Sequence, residues 1–427
     1  MTALVALRRL ATPVSLGRLA AELPEWAWPS TAPAGPDVAP PPIADSPFVW
    51  QAPSTGGARP GPLAGVRLAV KDLIAVAGRP LRAGSGAFTA AAPEAGSAPI
   101  VTRLIEQGAV LVGTTRLHEL AVGVTGINAF EGTVANPLDP ARIAGGSSSG
   151  SAAAVALGLA DVALATDTGG SARIPAALCG VVGYKASGRL PTTGCLPLSP
   201  TLDHLGWCTP TVELASRTAG ALGLLGARGD VAPPCRRIGV MAAALELSDP
   251  AVAAAVSCAL ERLATTGIEL VELSWPHLDL TYAASTTIMF AEAAATHLGT
   301  LEAASEVLGA DVRSRLERGR GISASAYLAG LAIRDELTAA FGRVLDEVDV
   351  VASPATAIVA PLLVQATGPA VAASLVRFTR LDDLTGLPAV SLPLPVDGCA
   401  VGLQLTARTD AELLAHAAVV EARIGVH

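Results

Sequence analysis

Residues 162–175 read Val-Ala-Leu-Ala-Thr-Asp-Thr-Gly-Gly-Ser-Ala-Arg-Ile-Pro. Val162–Ala165 is a short apolar run with the character of a buried strand. Gly169-Gly170 lets the backbone turn sharply and aim successive N–H groups at one point, and a short helix follows. A strand, a glycine turn and a helix in that order define one unit of an α/β fold, and the flanking sequence repeats it. Strands are expected at 66–70, 109–112, 181–184, 238–241, 268–273 and 348–351. Helices are expected at 152–159 and 249–264, along the face Ile100, Val101, Leu104, Ile105, and as long segments over 302–347. This alternation predicts one α/β domain, an α/β/α sandwich whose large mixed, mainly parallel sheet is covered by helices. An N-terminal segment, 1–27, carries a helix over roughly 3–23. Residues 28–62, with Pro29, Pro33, Pro36, Pro40, Pro41 and Pro42, read as an extended surface strap leading to a catalytic domain at 63–427.

The composition removes several classes. Of 427 residues, 51% are hydrophobic and 15% charged, so the chain has ample apolar material for a core and is not disordered. A net charge of -8 argues against nucleic acid as a partner. The longest uncharged stretch, 350–376, is broken by Pro354, Pro361 and Pro369, and 143–160 is filled with Gly and Ser, so no membrane span is expected. Arg8-Arg9 is followed by Arg18 and Glu22 rather than by an apolar signal core. The six cysteines form neither a CxxC pair nor a small disulfide framework, which suits reduced thiols and a cytoplasmic location.

Ser171 stands at the turn where a nucleophile could draw on oxyanion donors from its own loop. A base is needed. None of the six histidines lies in a motif attached to Ser171; His118-Glu119 lacks the second histidine of a zinc site, since Val122 occupies that position, and His204 with Asp203 supplies the one histidine-based alternative. Only Lys71 and Lys185 are lysines among 29 basic residues. Arginine does not give up its proton in a protein, whereas a desolvated lysine does. Lys71 ends the apolar run Val66–Val70 and is either a general base or a lysine whose head reaches past the sheet end. A third feature, Gly145-Gly146-Ser147-Ser148-Ser149-Gly150-Ser151, enters an Ala-rich helix, and no Gly-Lys-Ser/Thr ends it as a P-loop requires.

Together these residues resemble the amidase-signature serine hydrolases. Lys71 lies in Ala69-Val70-Lys71-Asp72, and Ser147 and Ser171 stand 24 positions apart, as in that family. The likeness is strong over 62–208, including Leu117–Ala121, Pro175–Gly180, Gly183-Tyr184-Lys185 and Leu202-Asp203, and is weaker at Ser353-Pro354 and 384–392. The resemblance implies a nucleophile at Ser171 and a relay at Ser147 behind a cis peptide bond. It further implies a neutral base at Lys71 and oxyanion donors from the N–H groups of Thr168, Gly169, Gly170 and Ser171. It also implies an amide as small-molecule substrate, an acyl-enzyme, and neither metal nor organic cofactor. An ammonia-releasing amidotransferase subunit, a ureido or allophanate-type hydrolase, and a catalytically silent binding module are the alternatives. The short N-terminal region leaves open whether the chain forms a homodimer. Arg173 reads either as a clamp for a substrate carboxylate or as an internal partner of Asp167. Lys185 and Asp203 read as structural, and Cys179 as a small buried hydrophobe. The pocket is expected to draw on 123–128 and on 350–376.

Overall fold

The computed structural model describes residues 5–6, 14–30, 41–53, 59–226 and 234–425. The described chain builds a single mixed sheet from the strands β1 (Val5–Ala6), β2 (Phe48–Gln51), β3 (Arg67–Lys71), β4 (Val110–Thr115), β5 (Val162–Asp167), β6 (Val182–Lys185), β7 (His204–Thr209), β8 (Arg237–Met241), β9 (Glu269–Leu273), β10 (Val350–Pro354), β11 (Ala389–Val396) and β12 (Cys399–Thr406). Their order is β1-β9-β8-β10-β12-β11-β6-β7-β5-β3-β4-β2. Parallel pairing is confined to the two flanks, β1-β9-β8-β10 and β5-β3-β4. Between them an antiparallel block runs from β10 through β12, β11, β6 and β7 to β5.

Side chains alternate across the strands and so define the layers. Leu68 and Val70, Ile238 and Val240, and Val350 and Ala352 join one core. The helices Pro99–Glu106, Val212–Ala221, Pro250–Thr265 and Asp410–Ile424 cover it with Ile100, Val212, Val252 and Leu413. The opposite face packs in two parts. Ala69 and Ala163 meet the helix Ser149–Ala156, while Val271, Leu273 and Val351 meet the helices Leu278–Thr296, Ala310–Arg320 and Ala324–Val344. Helices therefore cover both faces, as the alternating sequence implies.

Several elements differ from expectation. Among the described residues of the helix expected over 3–23, Val14–Ala20 is helical, and Val5–Ala6 pairs with β9 as an edge strand; residues 3–4 and 7–13 lie outside the described set. Within the expected strap, Phe48–Gln51 pairs with β4, its Phe48 buried against the sheet; residues 31–40 and 54–58 lie outside the described set. The central strands β7, β11 and β12 and the helix Leu278–Thr296 were not anticipated. Pro393 and Pro395 hide β11 in the sequence. They are accommodated because β11 pairs with β6 only at Ala389–Ser391, so beyond that point one edge needs no N–H donors.

Candidate active site

The turn after β5 is built by Asp167. Its buried carboxylate accepts from the N–H groups of Gly170 (2.7 Å) and Ala172 (3.1 Å), tying the start of the helix Arg173–Cys179 to the strand end. This helix lies directly on the sheet. A Cβ on Gly183 would come within 2.4 Å of the Ala176 side chain, and one on Gly402 within 2.8 Å of Ala177, so glycine at both positions permits the approach. Arg173, fully buried, holds the assembly from below: its Nη2 reaches Asp167 at 2.9 Å and Asp383 at 3.0 Å, and its Nη1 reaches Gln404 at 2.8 Å and also Asp382. Burial opposes ionisation of Asp167, but the Arg173 charge outweighs it and holds the carboxyl well below the usual carboxylate range. All the donors of Arg173 are thus taken internally, and it is not free to clamp a substrate.

The second loop wedges against this turn. The peptide bond Gly146–Ser147 is cis, and Gly145 has φ +78°. The Ser147 carbonyl accepts from His118 N–H at 2.9 Å, and Ser148 N–H donates to the Ser171 carbonyl at 3.2 Å, so the two serine-bearing loops are joined through their backbones. Ser151 Oγ donates to the Leu164 carbonyl at 2.9 Å, and Ala152, Ala153 and Ala154 are fully buried. Residues 145–151 are therefore a packed insert, neither linker nor anion cradle.

Lys71, at the end of β3, is fully buried, with its Nζ 2.8 Å from Ser147 Oγ and 2.7 Å from Thr166 Oγ1. No carboxylate stands within ion-pair distance of it among the described residues. Desolvation lowers its pKa to about 7, against the weaker upward pull of Asp167 and Asp203. Ser171 is 5% exposed, lines a cavity and has no hydrogen-bond partner for its hydroxyl among the described residues. Thr168 and Gly169 line the same cavity. Of the four expected oxyanion donors, Gly170 drops out because its N–H is already given to Asp167. Thr168 is steadied by Asp203, whose Oδ1 accepts from its hydroxyl at 2.7 Å, while Oδ2 accepts from the N–H groups of Leu198 and Ser199.

The remaining candidates fall outside this constellation. His204 lies away from the cavity wall that carries Ser171; its Nδ1 sits 2.7 Å from the Leu202 carbonyl, and burial pushes its pKa well down. Lys185 Nζ donates to the Leu387 carbonyl at 2.8 Å, and burial pushes the Cys179 thiol well up. The cavity does take residues from both expected segments, Gly123 and Val124 from one, Pro369, Ala372 and Val376 from the other. Sequence reasoning missed Thr166, which looks like an ordinary strand residue. It also missed the cavity residues Trp26, Tyr282, Thr286 and Arg380, brought in from distant segments without a motif.

The relatives of this chain place it among amide-hydrolysing enzymes. The family model described as Amidase matches residues 48–222 and 232–414, and the chain belongs to the amidase family. It is 35% identical over 393 residues to the 2-amino-5-chloromuconic acid deaminase of Comamonas testosteroni, covering 86% of this chain and 83% of that protein. It is 34% identical over 395 residues to the indoleacetamide hydrolase of Pseudomonas savastanoi, covering 85% and 84%. A crystal structure of an amidase superposes with a TM-score of 0.79 at 37% identity, covering 85% of each chain. No helix among the described residues is long and apolar enough to cross a membrane.

Proposed function

We propose that the protein hydrolyses a carboxylic amide through an acyl-enzyme on Ser171, with Ser147 as proton relay and neutral Lys71 as base. The observation that carries this reading is the 2.8 Å contact between Lys71 Nζ and Ser147 Oγ, made by a lysine that burial holds near pH 7. An amine in that state accepts a proton, which a permanently charged group cannot do.

In the first half-reaction Ser171 Oγ bonds to the amide carbonyl carbon. Its proton moves to Ser147 Oγ as the proton of Ser147 passes to Lys71 Nζ. The oxyanion is held by the N–H groups of the turn, of which Thr168, Gly169 and Ser171 are not engaged by Asp167; one such donor is worth about 10²–10³ in rate. The C–N bond then breaks as Lys71 returns its proton through Ser147 to the leaving nitrogen. Water repeats the sequence on the ester, releasing the carboxylic acid and restoring the Ser171 hydroxyl. Thr166 Oγ1 accepts from the amine at 2.7 Å and anchors Nζ beside Ser147. We further take the enzyme to work in the cytoplasm, in keeping with six free cysteines.

The reading is tested with the purified chain and a fluorophosphonate probe. Wild type is expected to gain one adduct, on Ser171, and to lose amide hydrolysis in step with labelling. An adduct on another serine, or labelling that persists in Ser171→Ala, contradicts it.

A further inference from the structure

The cavity that holds Ser171 also contains a guanidinium without a counter-charge. Arg380 is 4% exposed, yet among the described residues no Asp or Glu oxygen lies within ion-pair distance of it. The nearby acids Asp382 and Asp383 pair with Arg173, and Asp383 acts on Arg380 only from beyond ion-pair distance. Arg380 has instead a hydroxyl, a thioether and a ring: Nη1 donates to Ser285 Oγ at 3.2 Å and meets Met289 Sδ at 3.5 Å, and Tyr282 covers its Cζ at 5.2 Å. Its Nε is buried with no partner, and so is Thr286 Oγ1 in the same wall. A buried charge with unfilled donors is costly unless something completes it.

The position of Arg380 says what completes it. Arg380 and Ser171 line one cavity, and a Cβ on Gly169 would lie 3.5 Å from the guanidinium carbon, so the charge borders the turn that receives the scissile carbonyl. Arg315 and Arg318 line the same cavity, and among the described residues no Asp or Glu does. That wall is positive in a chain whose net charge is -8. Planar, forked N–H donors match a carboxylate. The rest of the wall, with Val122, Val124, Phe290 and Val376, is apolar and suits a short hydrocarbon spacer.

We propose that the substrate is an amide carrying a second, anionic group, a carboxylate held by Arg380 a few bonds from the carbonyl that Ser171 attacks, as in the monoamide of a short dicarboxylic acid. This rests on the reading of Ser171 as nucleophile, and the test separates the two. The purified full chain is assayed on succinamate and on its uncharged counterpart succinamide, while fluorophosphonate labelling of Ser171 is followed with and without succinate. Wild type should favour succinamate in kcat/KM by about 100-fold. Arg380→Met should remove most of that preference, and Arg380→Lys should keep part of it. Succinate should slow labelling of wild type but not of Arg380→Met, whose continued labelling also reports an intact fold. The proposal is overturned if unlabelled wild type, from a preparation that the probe labels at Ser171, shows no preference for succinamate, or if Arg380→Met keeps the preference. It is equally overturned if that unlabelled wild type turns over neither amide and succinate does not slow its labelling. Absence of labelling at Ser171 instead removes the nucleophile reading, and this inference with it.

Discussion

Two fully buried cations stand either side of the turn at 167–173, and the protein treats them in opposite ways. Arg173 is surrounded by Asp167, Asp382 and Asp383. Among the described residues, the amine of Lys71 has only the hydroxyls of Ser147 and Thr166 as hydrogen-bond partners. Burial is the same, at 0% exposure for both. The carboxylates keep Arg173 charged, so it serves as a fixed brace. Their absence leaves desolvation to dominate at Lys71, so its proton becomes exchangeable near neutral pH. Depth of burial alone therefore does not mark a catalytic group; what decides is whether the charge is compensated.

The comparison can be broken most severely at the nucleophile it supports. Ser171→Ala should lower kcat by about 10⁶, the scale found when a nucleophile acting as part of a unit is removed, with an unchanged melting curve. Lys71→Arg comes next: the charge is kept, the base is lost, and kcat should fall by about 10⁴. If Lys71→Arg retains wild-type turnover, the uncompensated lysine has no role as base. Arg173→Met attacks the other side. It leaves buried carboxylates unpaired and should cost about 3–5 kcal/mol of stability, read as a lowered denaturation midpoint, whereas Lys71→Met should cost far less.

A finer contrast lies in pH. The folded-state pKa of Lys71 is lowered to about 7 from an ordinary 10.5, so between those values the unfolded chain binds more protons than the folded one. The penalty of burying Lys71 therefore shrinks as pH rises across that window, and stability rises with it. Lys71→Met should lose this rising component in denaturant melts, while Arg173 contributes none there. The smallest effect is expected at His204, where His204→Gln should lower kcat by far less than the 10²–10⁴ typical of losing a general base.

Much of the site was legible because its parts are local. The glycine turn, the serine loop and the lysine at a strand end each declare themselves within a few residues, and the spacing of Ser147 from Ser171 ties two of them together. Most of the flanking parallel strands were legible for the same reason, being short apolar runs; β1 was the exception, since Val5–Ala6 lies inside the expected helix. In the antiparallel centre β6 was legible as the apolar run at 181–184, but β7 and β11 were not, because β11 carries Pro393 and Pro395 and β7 carries His204 and Gly206, all poor strand signals. Arg173 could be read as clamp or brace from sequence. Its role as brace became visible only when Asp382 and Asp383, more than 200 positions away, came into contact with its guanidinium. Arg380 and Thr166 escaped altogether, since what distinguishes them is a partner gained or missing across the fold. Gly170 shows the converse: a residue that fits the oxyanion pattern in sequence has its N–H diverted to Asp167.

The relay from Ser171 to Lys71 is tested most directly by the rate of fluorophosphonate labelling of Ser171 measured between about pH 5 and 9, within the range where an essential base near neutrality reveals itself. The account predicts a rate that climbs with pH through an apparent pKa near 7 and then levels, as Lys71 loses its proton, and a slow rate without that climb in Lys71→Met. A wild-type rate that is flat across the range, or a climb that survives in Lys71→Met, contradicts it.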